Sequence, residues 1–355
     1  MAEMLAQGAV IGILGGGQLG RMLSVAAARL GFVSHIYEPG ANPPAGQVAD
    51  RVTTAAYDDA DALKAFADAV DVVTYEFENI PTEALDILEA HRPIRPGREA
   101  LRVSQDRLTE KTFLQELGLK TAPFADIADL NSLNAAIEQI GTPAILKTRR
   151  FGYDGKGQAR LRSPEDAEAA LADMAGAPAI LEGFVEFSHE VSIIAARGLD
   201  GQVACFDPGE NEHRDGILRT TTIPARLSPA QRTDAILLAA NILNALEYVG
   251  VMGVELFVTP GGLIVNEIAP RVHNSGHWTQ NGCAVDQFEQ HIRAVAGWPL
   301  GDGQRHSDVV MENLIGDDMD RVPELARERD VALHLYGKAE VKAGRKMGHF
   351  NRIKR

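Results

Sequence analysis

The chain has 355 residues, 45% hydrophobic and 24% charged, which is ordinary for a globular protein of about two or three domains. Its formal net charge of −14 excludes a general binder of nucleic acid or anionic membrane, because either needs a broad basic surface, but it allows a small anionic substrate in a local basic pocket. The only cysteines, Cys205 and Cys283, are far apart, and neither a signal peptide nor an apolar run of about 18 residues is present, so we expect a cytoplasmic protein without disulfides or a membrane span.

The first hundred residues alternate between strand and helix patterns. An apolar strand at 9–14 leads into Gly15-x-Gly17-x-x-Gly20 and a helix at 21–30, and strands at 33–38 and 71–76 flank a helix at 60–69. Alternation at this spacing predicts βαβ units around a parallel, Rossmann-like sheet. A Pro-rich piece at 91–97 ends this α/β domain, which we place at residues 1–100.

The rest of the chain predicts an α+β architecture. A helix at 107–117 ends at Gly118, and Ser163-Pro164 and Ser228-Pro229 are two strong helix starts. Strands are expected at 143–148, 179–185, 191–196, 251–258, 263–268 and 331–336. Their mixed order predicts antiparallel pairing in two parts, residues 101–300 (with a small lobe at about 120–190) and residues 301–355.

The Gly15–Gly20 turn lies where a dinucleotide fingerprint would lie, and Glu38 is close to the ribose-binding acidic position. A nicotinamide-dependent dehydrogenase is therefore one alternative. The same turn can bind any phosphate through the N–H groups of a helix N-terminus, or can close a strand and helix without a ligand. Glu76 ends a parallel strand, where ligands bind in open α/β sheets.

A second glycine-rich loop, residues 152–158, follows a strand that ends in Lys147. Small residues with exposed backbone N–H groups suit a lid over phosphates, and lysines would neutralise the phosphate charge. The spacing differs from the Walker pattern. An ordinary surface hairpin is the alternative interpretation.

Glu255 and Glu267 lie on two apolar strands joined by a turn around Gly261. A three-residue loop would put the two carboxylates directly opposite each other on one face, roughly 5 Å apart, which is destabilising unless a cation lies between them. Oxygen ligands beside phosphates suit Mg²⁺. A loop one residue shorter or longer would turn Glu267 to the other face.

The segment 266–278 is the densest group of polar side chains in the sequence, and it directly follows a buried strand. Unpaired charges in an interior are costly, so Arg271, His273 and Asn274 indicate a bound ligand. A solvated polar loop is the alternative. We expect His277 and Trp278 to support the turn by packing.

The Gly-turn domain, the glycine loop preceded by Lys147 and the hairpin ending in Asn266-Glu267 together resemble the ATP-grasp superfamily. The chain is most similar to the 5-(carboxyamino)imidazole ribonucleotide synthase family, which uses ATP, Mg²⁺ and bicarbonate in purine biosynthesis. The resemblance covers essentially the whole chain and is most specific at 270–282. It implies an N-terminal preATP-grasp domain, a homodimer, and a further stretch of chain after Arg355.

The resemblance implies three sets of site residues. The first, at ATP, comprises Arg107, Lys147, Gly152, Tyr153, Asp154, Gly155, Lys156, Gly157, Gln158, Glu182, Gly183, Phe184, Val185, Glu190, His213, Asn266 and Glu267. The second, the Mg²⁺ ligands, comprises Glu255 and Glu267. The third, at aminoimidazole ribonucleotide, comprises Gly17, Gln18, Leu19, Glu76, Tyr153, Lys156, Arg271, His273, Asn274 and Ser275, with Lys338 and Arg345 at its phosphate.

The implied reaction is an attack of bicarbonate on the γ-phosphate, followed by carboxylation of the exocyclic amine by the CO₂ that carboxyphosphate releases. Asp154 would accept the amine proton, and Arg271 and His273 would hold bicarbonate and carboxyphosphate. Another ATP-grasp carboxylase or ligase, the dehydrogenase, and a catalytically silent nucleotide-binding regulator are the competing functions.

Overall fold

The computed structural model describes residues 4–152 and 157–354. The N-terminal domain is a sheet of four parallel strands in the order β3-β2-β1-β4. Its elements are β1 (Val10–Leu14), α1 (Gln18–Arg29), β2 (Val33–Tyr37), β3 (Arg51–Thr53), α2 (Ala60–Asp68), β4 (Val72–Tyr75), α3 (Thr82–Glu89) and α4 (Arg98–Ser104). The predicted parallel α/β domain is therefore confirmed, whereas β3, α3 and α4 were not predicted.

The small lobe is an antiparallel sheet in the order β5-β8-β6-β7. It follows α5 (Arg107–Glu116) and contains β5 (Phe124–Ile127), α6 (Leu130–Ile140), β6 (Ala144–Thr148), β7 (Gln158–Leu161), α7 (Ala167–Asp173) and β8 (Ala179–Gly183). Asp106 caps α5 by accepting the N–H groups of Leu108 and Thr109. At Ser163 the predicted helix begins as a short 3₁₀ turn, Pro164–Asp166, before α7.

The large lobe is a nine-stranded antiparallel sheet in the order β14-β13-β9-β11-β12-β15-β17-β16, with β10 beside β9. Its elements are β9 (His189–Arg197), β10 (Val203–Cys205), β11 (Gly209–Arg214), β12 (Ile217–Ile223), α8 (Pro229–Ala245), β13 (Gly250–Thr259), β14 (Gly262–Ala269), α9 (Thr279–Gly282), α10 (Gln287–Val295), β15 (Asp308–Ile315), α11 (Val322–Leu325), β16 (Val331–Leu335) and β17 (Lys346–Lys354). The strands of residues 301–355 thus continue this sheet instead of forming their own, and the boundaries of the three-part division stay a prediction.

The N-terminal domain packs on the large lobe through α1 and α10. Arg29 on α1 bonds to Asp286 and Glu289 at the start of α10, each over 3.0 Å. Thr74 on β4 bonds to the buried His291 over 2.8 Å. These contacts hold the N-terminal domain against α10 of the large lobe. No helix in the described ranges is long and apolar enough to cross a membrane.

Candidate active site

The two carboxylates Glu255 and Glu267 are directly opposite each other on β13 and β14, as predicted. The reason differs from the prediction, because Thr259 pairs with Gly262 and the loop has only two residues. A two-residue loop in a regular hairpin would put Asn266 opposite Glu255. A β-bulge at Asn266 adds one residue to β14 and brings Glu267 back to the face of Glu255.

The two carboxylates have different pKa values. Burial raises the pKa of Glu255 to about 7, and the negative charge of Glu267 adds to this shift. Burial would also raise the pKa of Glu267, but the charges of Arg107 and Lys147 outweigh it and hold the value below the usual range. Arg107 donates to Glu267 over 3.1 Å, and His273 Nε2 lies 3.6 Å from Glu255. The pair is thus a negative site that a further cation would stabilise.

The donor set fits Mg²⁺, which prefers carboxylate oxygens completed by phosphate and water. Among the described residues, no group of three or more His, Cys, Asp or Glu side chains could hold a metal ion. A metal at this position would therefore depend on Glu255 and Glu267 together with oxygens of its nucleotide.

Lys147 and Glu182 form a buried ion pair at the small lobe. Lys147 donates to Glu182 over 3.0 Å, and Lys111 lies 3.5 Å from the same carboxylate oxygen. Burial would raise the pKa of Glu182, but the two lysines outweigh it and lower the value to about 2. Within the described part of the chain, the other oxygen of Glu182 is buried and has no hydrogen-bond partner. Such an acceptor calls for a donor from a ligand, as an adenine amine would supply.

Glu190 and His213 are neighbours on β9 and β11, and their side chains hydrogen-bond. Burial disfavours the charged imidazole, but the hydrogen bond and the charge of Glu190 outweigh it and raise the pKa of His213. Two residues of the predicted ATP set therefore form a pair.

Arg271 is held by Glu78, which the sequence did not single out as a site residue. The guanidinium donates to both carboxylate oxygens of Glu78, over 2.6 and 3.2 Å. Arg107, Gly152, Glu267, Arg271 and Glu78 line one cleft between the domains. The cleft therefore joins the predicted metal-binding carboxylate to the residue predicted to bind bicarbonate.

His273 is a neutral side chain in this structure. Burial lowers its pKa to about 3, and the nearby positive charge of Arg271 adds to the effect. Its Nδ1 bonds to the hydroxyl of Ser275 over 2.8 Å, and Ser275 accepts from Ser192 over 2.6 Å. Ser275 is only 1% exposed. The Ser275 hydroxyl therefore orients the His273 ring, and the predicted substrate contact of Ser275 stays a prediction.

Asn274 exchanges two amide hydrogen bonds with the buried Asn313, over 2.9 and 2.8 Å. Its side chain therefore holds the turn against β15, and a substrate contact would have to compete with this pair. Lys338 donates to the backbone carbonyl of Lys346 over 2.6 Å, and Arg345 donates to that of Glu340 over 3.1 Å. Both residues predicted to contact the phosphate thus lie near the start of β17.

Lys346 belongs to the same basic cluster as Lys338 and Arg345, but it was not among the predicted site residues. Its positive charge disfavours the protonated forms of His213 and His273, so it lies near both predicted ligand-binding histidines. The sequence signal was its position in a basic cluster of an acidic protein. Which of those cations approaches the site depends on the path of β17, which no spacing rule gives.

The Gly15–Gly20 turn is occupied by carboxylates of the protein itself. Gly17 and Gly20 donate their N–H groups to Glu76, the latter over 2.6 Å, and Gly16 donates to Glu38 over 2.8 Å. Burial raises the pKa of Glu76 above its usual range. A pyrophosphate would need these same donors. The dinucleotide-binding interpretation of the turn, with Glu38 at a ribose, is therefore wrong, whereas Gln18 and Leu19 stay predicted substrate contacts beside Glu76.

Part of the predicted lid lies outside the described residues, namely Tyr153, Asp154, Gly155 and Lys156. The described flanks are consistent with a hairpin, because Gln158 begins β7 and pairs with Lys147 on β6. Gly157 has a φ of +68°, and a Cβ there would lie 2.6 Å from Thr148 Oγ1, so the position requires glycine. Gly183 ends β8 beside Glu182, and Phe184, which is 43% exposed, and Val185 follow the strand.

His277 and Trp278 are each 1% exposed, which confirms the expectation that they support the turn by packing. His277 lies against His349, with ring centroids 4.6 Å apart, and His349 stacks on His334 at 4.6 Å. β17 therefore packs against the turn that carries His273.

Comparison with known proteins agrees with this geometry along the whole chain. Residues 9–105 match the ribonucleotide synthetase preATP-grasp domain, 112–288 the ATP-grasp domain, and 309–355 the phosphoribosylaminoimidazole carboxylase C-terminal domain. N5-carboxyaminoimidazole ribonucleotide synthase of Brucella melitensis is 57% identical over 353 residues, covering 99% of this chain and 98% of that protein.

Two solved structures extend the likeness to three dimensions. An ADP complex of N5-carboxyaminoimidazole ribonucleotide synthetase superposes with a TM-score of 0.96 at 42% identity, covering 100% of this chain and 94% of the other. The Aspergillus clavatus enzyme, solved with ADP and 5-aminoimidazole ribonucleotide, gives 0.92 at 31% identity, covering 98% and 94%. The chain therefore belongs to the N5-carboxyaminoimidazole ribonucleotide synthase family of ATP-grasp ligases.

Proposed function

We propose that this protein uses ATP and bicarbonate to carboxylate the exocyclic amine of 5-aminoimidazole ribonucleotide. The observation that carries the proposal is the single cleft lined by Arg107, Glu267 and Arg271. The proposed nucleotide-binding cation, metal-binding carboxylate and anion-binding guanidinium therefore line the same cleft. This arrangement suits a reaction in which one anion attacks the phosphate of another.

Glu255 and Glu267 would hold Mg²⁺ together with the phosphates of ATP. The metal, when bound, neutralises charge that develops on the transferred phosphoryl group. Arg107 and Lys147, whose charges lower the pKa of Glu267, would add positive charge at the phosphates. Because Glu267 already accepts from Arg107, it is ionised and ready to bind the cation.

Bicarbonate would attack the γ-phosphate to give carboxyphosphate and ADP. Arg271 orients the bicarbonate, since its guanidinium is fixed by two hydrogen bonds to Glu78. Neutral His273 contributes as a hydrogen-bond partner and not as a cation. Carboxyphosphate then releases CO₂ next to the amine, and residues 152–158 would exclude water that would destroy the intermediate.

Phosphate release measured with bicarbonate, with and without 5-aminoimidazole ribonucleotide, tests the function. We expect strong stimulation by the nucleotide and formation of one carboxylated product per ATP. Release that is independent of the nucleotide would instead favour another ATP-grasp carboxylase or ligase, and absence of turnover would favour a silent regulator.

Asp154 is our proposed base for the amine proton. The change Asp154→Asn should keep ATP binding, measured by calorimetry, and abolish carboxylation of the nucleotide. Near-normal carboxylation by this variant would remove Asp154 from the mechanism. Asp126→Asn, an exposed change on β5, is the matched control and should keep full activity.

The cellular and quaternary setting follows from the family resemblance. We propose a cytoplasmic homodimer of subunits divided at about residues 100 and 300. Light scattering gives the mass in solution, and limited proteolysis locates the boundaries. A monomeric mass, or cleavage far from both positions, would contradict these proposals.

A further inference from the structure

Helix α5 carries two charged residues that are almost fully buried. Glu110 is 3% exposed and Lys111 is 1% exposed, although neither belongs to an apolar cluster. Burying charges on a helix is costly unless they have specific partners. Their partners therefore indicate what the helix is for.

The partners are backbone groups at the bulge of β14. Glu110 accepts the N–H of Ile268 over 2.6 Å, and Lys111 donates to the C=O of Asn266 over 2.6 Å. Arg107, one turn earlier, donates to the carboxylate of Glu267 between them. One turn of α5 thus contacts three consecutive residues of the strand, because positions i, i+3 and i+4 share a helix face.

These contacts depend on the register of the hairpin. β14 is an edge strand, so one row of its backbone groups has no neighbouring strand, and Val265 N–H bonds instead to the carbonyl of Lys120 over 2.8 Å. In a regular strand, Glu267, which lies two residues after Val265, would direct its N–H and C=O to this same edge of the sheet. The bulge presents the C=O of Asn266 and the N–H of Ile268 instead. Glu110 and Lys111 of α5 can therefore form these two hydrogen bonds only with the bulged strand.

We infer that Glu110 and Lys111 are positioning residues that hold the Asn266 bulge and so keep Glu267 facing Glu255 for metal binding. The inference rests on the proposed Mg²⁺ role of the two carboxylates. Lys111 also lies 3.5 Å from Glu182 of the small lobe, so the same side chain ties the bulge to the buried ion pair there.

The test compares matched variants on one helix. Glu110→Gln keeps an oxygen that can accept from Ile268, whereas Glu110→Met does not, and Lys111→Met removes the donor to Asn266. Glu116→Gln, an exposed change on the same helix, is the control. Glu267→Gln provides the reference for loss of the metal ligand itself.

The readout is Mn²⁺ binding to the ADP complex by electron paramagnetic resonance, with metal-free ADP binding measured by calorimetry. Glu110→Met and Lys111→Met should weaken Mn²⁺ binding about tenfold or more, as loss of a group supporting a metal ligand does. Glu110→Gln and Glu116→Gln should stay close to the parent protein, and metal-free ADP binding should be little changed. A general loss of structure would weaken both kinds of binding, and if Lys111→Met fails to fold, the Glu110 pair decides alone.

Parent-like Mn²⁺ binding in Glu110→Met, with binding lost in Glu267→Gln, would overturn the positioning role and leave the proposed metal site intact. Parent-like binding in Glu267→Gln as well would overturn both. Equal losses in Glu110→Gln and Glu110→Met would also contradict the inference, because they would assign the effect to the charge of residue 110 instead of the hydrogen bond.

Discussion

Glu267 and Ser275 are close in the sequence but belong to two parts of the candidate site that are built differently. At the end that we propose for ATP (Arg107, Lys147, Glu182, Glu255 and Glu267), opposite charges face one another and shift each other's pKa values. At the end that we propose for the ribonucleotide (Glu78, Arg271, His273, Asn274 and Ser275), one ion pair is surrounded by neutral groups fixed by hydrogen bonds. The ATP end depends on charge, whereas the ribonucleotide end depends on orientation.

The largest expected effect comes from removing charge at the ATP end. Glu267→Gln keeps the shape of the side chain but loses the negative charge, so kcat/KM should fall by about 10³-fold. Steady-state phosphate release at several Mg²⁺ concentrations measures it. If the isosteric variant stays active, charge is not what the ATP end requires, and the contrast with the ribonucleotide end fails.

The second prediction removes orientation but keeps charge. Arg271→Lys leaves a cation but cannot hold both oxygens of Glu78, so kcat/KM for bicarbonate should fall about 10²-fold. Arg271→Met provides the comparison without charge. A lysine variant that matches the parent, beside an inactive methionine variant, would show that this end also depends on charge alone.

A smaller effect is expected from changing the residues that hold the His273 ring. Thr221, Asn211, Ser192 and Ser275 form a buried hydrogen-bonded series that ends at the His273 ring. Ser275→Ala frees the ring to rotate and should lower kcat about tenfold, with KM for ATP unchanged. Ser192→Ala, one step further back, should have a weaker effect. Equal effects of the two changes would argue for a general packing defect.

The smallest effect at neutral pH concerns stability. Burial lowers the pKa values of His277, His334 and His349, so these rings are neutral when folded, while in the unfolded chain they bind protons below about pH 6.5. Their stabilising contribution is therefore complete above pH 6.5 and is lost as the pH falls. Tm should drop by roughly 5 °C between pH 7 and pH 5. His349→Gln should reduce this slope, and an unchanged slope would exclude the cluster as its source.

Much of the fold could be predicted because short stretches of sequence determine where many of its helices and strands lie. Asp106 and Ser228 cap helices where short-range rules put them, and β1, β2 and β4 follow from apolar runs before glycine or acidic residues. The facing of Glu255 and Glu267 was also predicted, but from a loop length that was wrong. The bulge that restores the register is set by α5, which is distant in the sequence.

Interactions between distant residues account for what could not be predicted. The charged side chains of Glu110 and Lys111 look like a solvated helix face, since their partners are backbone groups more than 150 residues away. Lys346 approaches His273 only because β17 joins the large sheet between β15 and β16. Residue types indicated the chemistry, but the pairing of sheet strands decided which groups meet.

The carboxylate of Glu76 inside the Gly15–Gly20 turn has a consequence for how such motifs are interpreted in other proteins. The residue that closes the turn lies 59 positions after Gly17, at the end of β4. A glycine fingerprint in a Rossmann-like domain is thus either open to a ligand or already filled by a side chain of the protein. The residue that distinguishes the two cases is far from the glycines in the sequence. An acidic residue directly after the strand that neighbours β1 on the opposite side from β2 should mark the filled kind.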